Sequence, residues 1–345
     1  MKAAANHTAF KVQIGSALAS STASESQRQL LQLRVDLDMD GPSAYCFIEL
    51  ADGTPPAPGD AVEVKLDAGD GMQAVFTGIV ACVEAGATGQ SVLAHGAFAL
   101  LGQSEVEGAY ESVSADFIVK DLIGKAGATA GTVAKGPDLA AWAVHRGPTA
   151  LGHLRHLAML CGAGLFADGS GKIHCAAPKT GSADHNFKFG ETITHLAVQK
   201  IAPAFDSVEV WGEGAASAKG ADKAHWLSTD LSGVSAKASV AADGTVQTGK
   251  LGARPLRLRE GALRSGEAVE AVAKAWAESL AARLVRGSLE VFAAPKVLPG
   301  DLVTITGLPD GHAAAGLFKQ GQVLHVRGVR HVLDRQRGAL TRLTF

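Results

Sequence analysis

The chain has 345 residues, enough for two or three domains with real cores, and its formal net charge of −2 argues against broad electrostatic attraction to nucleic acid or an anionic membrane. Charged residues make up only 19% and aromatics 5%, while 41 glycines dilute a 47% hydrophobic share that leans on Ala, so the cores should be small and built from Val, Leu and Ile. No stretch of about 18 apolar residues could cross a membrane, and Lys2 to Thr8 lacks the apolar segment of a secretory signal.

In chain order, Leu33-Arg34-Val35-Asp36 and Phe47-Ile48-Glu49-Leu50 read as a hairpin. Pro58-Gly59-Asp60 then turns into the alternating strand Ala61-Val62-Glu63-Val64. Phe76-Thr77-Gly78-Ile79-Val80 and Ser91-Val92-Leu93-Ala94-His95 close this first unit. The order repeats near the end of the chain: Pro299-Gly300-Asp301 feeds Leu302-Val303-Thr304-Ile305, followed by Val326-Arg327-Gly328-Val329-Arg330 and Ala339-Leu340-Thr341-Arg342-Leu343. The upstream partner of the second copy is expected to be the hairpin Leu196-Ala197-Val198-Gln199 to Val208-Glu209-Val210-Trp211. Four or five short strands with an internal glycine suit a small closed barrel, so each copy is expected to form one.

Residues 109–188 separate the copies as a compact α/β region. Ser114 and Asp116 open a helix with Phe117, Ile118, Leu122 and Ile123 as its stripe. Pro148 suits the first position of a second helix that carries Leu151, Leu154, Leu157 and Cys161 and stops at Gly162 or Gly164. A hairpin follows around Asp168-Gly169-Ser170-Gly171. Residues 214–253, rich in Ala, Gly, Ser and Lys with Trp226 as the one large anchor, read as an extended loop. A helix spans 266–286, opened by Glu267 and Glu270, closed by Arg283 and Arg286, with Trp276 at the centre of its buried stripe and Gly287 as its stop. The fold class is therefore mainly β with an α/β insert: residues 1–108 a first barrel, 109–188 a central domain, 189–345 a second barrel.

The chemical motifs fail on their own terms. Gly244 to Lys250 has phosphate-loop spacing, but Leu251 stands where a magnesium-binding hydroxyl is needed and Pro255 interrupts the required helix. Gly162-Ala163-Gly164 with Ala167 follows a helix instead of a strand, so it makes no dinucleotide site. His153 and His156 with Cys161 and Cys175 fit no standard zinc spacing. Asp36, Asp38 and Asp40 alternate on a strand without the loop that calcium requires. No Gly-x-Ser-x-Gly or His-Glu-x-x-His occurs. Cys46, Cys82, Cys161 and Cys175 are spaced as free thiols of a reducing compartment. No catalytic residue, cofactor site or metal site is expected.

The acidic strand Leu33 to Asp38, Pro58-Gly59-Asp60, Val75 to Val80, the helix Leu151 to Ala158 and the hairpin Ala167 to His174 together resemble the tail hub family of contractile phages and injection systems. That family includes phage late control protein D and the amino-terminal hub part of the type VI spike protein. The resemblance, over about residues 10 to 345, implies a homotrimeric ring joining the sixfold tail tube to a threefold spike. It also implies other baseplate partners, assembly in the bacterial cytoplasm and release within a virion or injection particle without a Sec signal. Because the chain ends at Phe345 after the last strand, the spike is expected to be a separate protein. Two other classes stay open: a tail-associated cell-wall hydrolase and a receptor-binding tail protein.

Charge is unevenly distributed. Residues 30–70 hold Asp36, Asp38, Asp40, Glu49, Asp52, Asp60, Glu63, Asp67 and Asp70 against Arg34 and Lys65. Residues 319–345 hold Lys319, Arg327, Arg330, Arg335, Arg337 and Arg342 against Asp334. The expectation is a head-to-tail subunit interface pairing Asp36, Asp38, Asp60 and Glu63 with Arg327, Arg330, Arg335 and Arg337.

Overall fold

The computed structural model describes residues 8–22, 28–41, 43–51, 53–87, 89–213, 234–318 and 322–345. The first part of the chain forms β1 (Ala9–Ile14), β2 (Ala17–Ser20), β3 (Leu30–Asp38), β4 (Ser43–Leu50), β5 (Ala61–Asp67), β6 (Gln73–Ala85), β7 (Gln90–His95) and α1 (Phe98–Gln103). The middle supplies β8 (Gly108–Ser114), α2 (Ala115–Lys125), β9 (Ala130–Val133), β10 (Asp138–Val144), α3 (Ala150–Leu160), β11 (Gly164–Ala167) and β12 (Ile173–Ala176). The remainder comprises β13 (His185–Lys188), β14 (Ile193–Lys200), β15 (Ser207–Trp211), β16 (Ser235–Val240), β17 (Val246–Thr248), β18 (Pro255–Arg259), α4 (Gly266–Ala281) and β19 (Val285–Phe292). It ends with β20 (Leu302–Thr306), α5 (Ala315–Phe318), β21 (Leu324–His325), β22 (Gly328–Asp334) and β23 (Gly338–Thr344).

Mainly β architecture is as expected, and no closed barrel is detected among the described residues. Strands of both copies join in one 11-stranded sheet of order β14-β19-β23-β22-β3-β4-β7-β6-β5-β1-β2, whose edges among the described residues are β14 and β2. The seam between copies is the antiparallel ladder of β22 with β3, where Arg330 opposes Asp36 and Val332 opposes Arg34. Alternation along β3 and β4 sends Leu33, Val35, Leu37, Cys46 and Ile48 into the core. One apolar cluster runs through the first copy, the middle region and the packing of α4 on β16; a second fills the space inside β19, β20, β22 and β23.

The duplicated turn is reproduced bond for bond. Gly59 N donates to Val80 O (2.9 Å), Val80 N donates to Asp60 O (2.8 Å), and the Asp60 carboxylate accepts from Ala57 N (2.9 Å). In the second copy Gly300 N donates to Val326 O (2.7 Å), Val326 N to Asp301 O (2.9 Å), and the Asp301 carboxylate accepts from Leu298 N (2.9 Å). Both glycines carry positive φ, +94° and +89°, which a side chain adopts only at a cost. These bonds make Val326 the counterpart of Val80, so Gly78 and Gly328 are not equivalent positions. The reason is continuity: β6 runs unbroken for 13 residues, pairing first with β5 and then with β7, whereas the second copy is interrupted between β21 and β22.

The upstream hairpin is also reassigned. Val208 to Trp211 does not pair with Leu196 to Gln199; β14 pairs with β19, so Val285–Phe292 is the counterpart of β4. Where β3 and β4 are joined by a tight turn, β14 and β19 enclose a four-stranded sheet, β17-β16-β15-β18, covered by α4. Residues 234–253, expected as loop, thus contain β16 and β17, because Ala236, Ala238 and Val240 alternate inward under α4. Trp226 and residues 214–233 lie outside the described residues. Helix α4 is capped by the Ser265 hydroxyl on Ala268 N and ends at Ala281, short of the expected 286, so Gly287 belongs to β19. Trp276 is only partly buried, with Val269, Val272, Ala273 and Ala277 innermost. Ala150, not Pro148, is the first position of α3, with Thr149 at its N-cap, and Gly162 with φ +59° follows its end.

Gly59→Ala and Gly300→Ala should each destabilise by about 1–2 kcal/mol through the backbone alone. The two costs should be similar, since a Cβ at Gly300 would make only ordinary van der Waals contact with the Phe166 ring at 3.4 Å and open space surrounds Gly59. Urea denaturation of the two variants checks this, and a neutral Gly59→Ala would contradict it.

Candidate functional site: the charged seam and the histidine clusters

The eight candidate interface residues lie in different settings. Asp36, 7% exposed, receives the Arg330 Nε–H at 2.6 Å from across the seam and the Arg34 Nε–H at 2.6 Å from its own strand. Arg34 also donates to the Tyr45 hydroxyl at 2.8 Å. The Asp38 carboxylate accepts from Asp40 N (2.7 Å) and Gly41 N (3.0 Å), holding the β3–β4 turn. Asp60 fastens its own turn, and Glu63 pairs with Lys65 at 2.8 Å. Arg327 grips Asp40, and Arg337 reaches Glu290 at 3.0 Å. Arg335 lies in the turn between β22 and β23. The pairing of Arg330 with Asp36, assigned from the sequence to neighbouring subunits, is made within one chain, because the two copies sit side by side in one sheet. Asp40 was missed as a partner; the alternation Asp36, Asp38, Asp40 is the signal that could have found it.

Register extends this pair into a row. Ile79, His95, Tyr45, Asp36, Arg330, Arg342 and Glu290 are successive cross-strand partners on β6, β7, β4, β3, β22, β23 and β19. Cross-strand partners share a sheet face, so this row marks the polar side, opposite the core.

The histidines sit in hydrogen-bonded clusters, and the one beside Asp168 and Ser170 is not ordered as a hydrolase triad. His174 has Asp168 Oδ2 at 3.0 Å from Nε2 and accepts Thr132 N–H at Nδ1 (3.0 Å), which fixes the proton on Nε2. Ser170 Oγ donates to the other Asp168 oxygen at 2.7 Å. The carboxylate lies between hydroxyl and imidazole, so the imidazole cannot take the hydroxyl proton, and a nucleophile is not made. His153 Nε2 is 3.1 Å from His145 O, and His156 is 3.0 Å from Glu260. They line an open groove of about 730 Å³ with Trp142 and Arg264. Among the described residues, no three His, Cys, Asp or Glu side chains are grouped to hold a metal ion. Cys161 and Cys175 are free and buried, and burial pushes the Cys161 thiol up to about 12 and Cys175 higher still, the opposite of a reactive thiolate. The phosphate-loop look-alike is the β16–β17 hairpin, with Gly244 at φ +90° and Asp243 accepting from Thr245 N.

Titration bears on stability. Burial lowers the His331 imidazole to about 4, with only the charge of Asp36 opposing; His331 faces Thr341 Oγ1 at 3.0 Å. Burial and the Arg327 charge lower His325 to about 4 as well. Burial raises the Asp168 carboxyl, but its bonds to His174, Ser170 and Lys172 N overcome this and hold it at about 2. A depressed histidine keeps its full contribution above the unfolded value near 6.5 and loses it as pH falls toward about 4; Asp168 acts in the next window, from about 4 to 2. Each histidine should therefore cost up to about 3 kcal/mol on acidification from pH 7 to 4. His331→Gln should roughly halve the loss in the upper window, leaving the His325 share, and leave the lower window intact, measured by denaturant midpoints at pH 7.5, 5.5, 4 and 3.

Replacing Asp36 by Ala strands two arginines on the seam and should cost about 2–3 kcal/mol, discounted from a fully buried pair because both arginines are partly exposed. Arg330→Ala should cost less, since Arg34 still satisfies Asp36. The loss should appear in unfolding of dilute protein; equal stability of wild type and Asp36→Ala would refute the role of the pair.

No family model matches the chain, and no curated protein matches it. Among solved structures, it is similar to a 43 kDa tail protein of prophage MuSo2 from Shewanella oneidensis, with TM-score 0.65, 14% identity and coverage of 97% of each chain. It is also similar to a tail protein from Neisseria meningitidis MC58, with TM-score 0.67, 16% identity and coverage of 98% of this chain and 95% of the other. A third likeness is to the E. coli c3393 protein, described as a component of the type VI secretion system with structural similarity to T4 bacteriophage tail proteins gp27 and gp5. There the TM-score is 0.51 at 12% identity, covering 97% of this chain and 76% of that one. At these identities the likeness is one of fold, and by that measure the chain has the fold of these tail and secretion-system proteins.

Proposed function

We propose that the chain is a non-enzymatic structural hub of a contractile tail or injection-system baseplate, forming a homotrimeric ring between a sixfold tail tube and a separate threefold spike. The observation that carries the reading is the duplicated turn, identical in its hydrogen bonds, on two like units side by side in one sheet. Three such chains present six similar units, which can meet a sixfold ring on one face, while the insertion between β14 and β19 makes the two units differ and supplies threefold character. Fold likeness to tail proteins supports the setting.

We infer that the ring closes by main-chain pairing rather than by the charge pairing of the two copies. With Asp36, Arg327, Arg330 and Arg337 occupied within the chain, charge pairing of the two copies is a weak source of subunit affinity. Among the described residues the sheet ends at β2, where Leu18 O already accepts Arg28 N–H at 2.7 Å, and at β14, and head-to-tail pairing of the remaining edge groups would make one continuous wall of strands. In this reading the barrel-like units and the boundaries near residues 108 and 188 organise one subunit, and the polar row from His95 to Glu290 lies on the wall.

Sedimentation equilibrium of the full chain should give three times its 35.3 kDa mass, with rings in electron micrographs. Because main-chain pairing dominates, the trimer should persist as salt rises. A monomer at every concentration, or a ring of another order, would overturn the proposal.

A further inference from the structure

A cavity of about 280 Å³ lies where the two copies and the middle region meet. It is walled by Met39 and Asp40 after β3, Arg155 on α3, Trp276 on α4, Arg283 just past α4, and Arg327 before β22. Three arginines and one carboxylate thus line the cavity. That carboxylate is already taken: both Asp40 oxygens accept the Arg327 Nε–H, at 2.8 and 2.7 Å. Arg283 reaches Asp40 only at 3.9 Å, and its buried Nε–H has no partner. The buried indole N–H of Trp276 has none either. Burial lowers the Arg283 guanidinium, and the neighbouring Arg327 and Arg286 charges add to this against Asp40 alone.

Surface arginines ordinarily need no explanation, since water solvates them. These differ in two respects. The Arg327 side chain is only 11% exposed, so its repulsion with Arg283 is weakly screened, and two cavity residues carry buried donors without acceptors. A negative, acceptor-rich group in the cavity would offset this repulsion, and the guanidinium fork of Arg283 suits it; the Nε–H and the indole N–H are closed off from the cavity and are not its contacts.

We propose that this cavity binds a single oxyanion, either free phosphate or a carboxylate presented by an acidic side chain of a neighbouring chain. The inference concerns the isolated subunit and does not depend on the hub reading. Thermal unfolding of the full chain, with potassium phosphate, potassium glutarate or potassium chloride at matched ionic strength, separates the two sources. Phosphate also stabilises proteins in general by exclusion from their surface, so the readout is the difference between wild type and variant. Wild type should melt several degrees higher in phosphate than in chloride, and calorimetric titration should show one site. Arg283→Ala should weaken phosphate binding at least tenfold; Arg155→Ala, on the exposed wall of the cavity, should weaken it measurably and serves if the Arg283 variant does not fold. A gain with phosphate alone identifies the free ion, and a gain with glutarate as well identifies a carboxylate as an acceptable occupant. If neither anion exceeds chloride, or both variants gain as much as wild type, the proposal fails.

Discussion

The antiparallel ladder of β22 on β3 is the constraint on which the rest of the molecule depends. It joins strands nearly 300 positions apart in sequence, Arg330 to Asp36 and Val332 to Arg34, and so turns two separate units into one sheet. Its contribution is directional more than energetic. Main-chain bonds alone would tolerate a slipped register, but a slip of one residue would send His331 and Val329 out of the core and Arg330 into it. Asp36, held by one arginine from its own strand and one from the partner strand, penalises that slip a second time.

From this seam follows the placement of everything else. With β3 and β22 adjacent, the turn after β3 comes against the residue before β22, where Met39 N donates to Arg327 O at 2.9 Å. The middle region then packs across both units: α3 meets α4, and the hairpin of β11 and β12 lies against the first unit, with Thr77 Oγ1 donating to Gly169 O at 2.9 Å. The insertion between β14 and β19 costs the second unit nothing in its sheet, because it leaves and returns through neighbouring strands. It is a device by which a duplicated unit acquires a different surface while keeping its core.

The charged and polar clusters illustrate how architecture can imitate chemistry. Asp168, Ser170 and His174 carry the residue types of a hydrolase, yet their order in space makes a turn clamp in which the carboxylate serves both neighbours. Asp301, Lys179 and His185 likewise tie the middle region to the second unit, Lys179 at 2.7 Å and His185 at 3.1 Å from the carboxylate.

The sequence by itself determined the local events. The Pro-Gly-Asp turns, the alternating strands after them, α2 and α3 and the β11–β12 hairpin all depend on contacts within a few residues, where side-chain type and spacing decide the outcome. Pairing partners over long range were settled only by the tertiary structure. Strand β15 has the same alternating pattern as β4, and nothing in that pattern says that β19 is the true counterpart; residues 234–253 look like loop until α4 supplies a face for Ala236, Ala238 and Val240 to bury against. The charge asymmetry was plain in the sequence, but whether opposite charges meet within a chain or between chains depends on which strands become neighbours, and small alternating strands of equal length can pair in many orders until the packed core selects one.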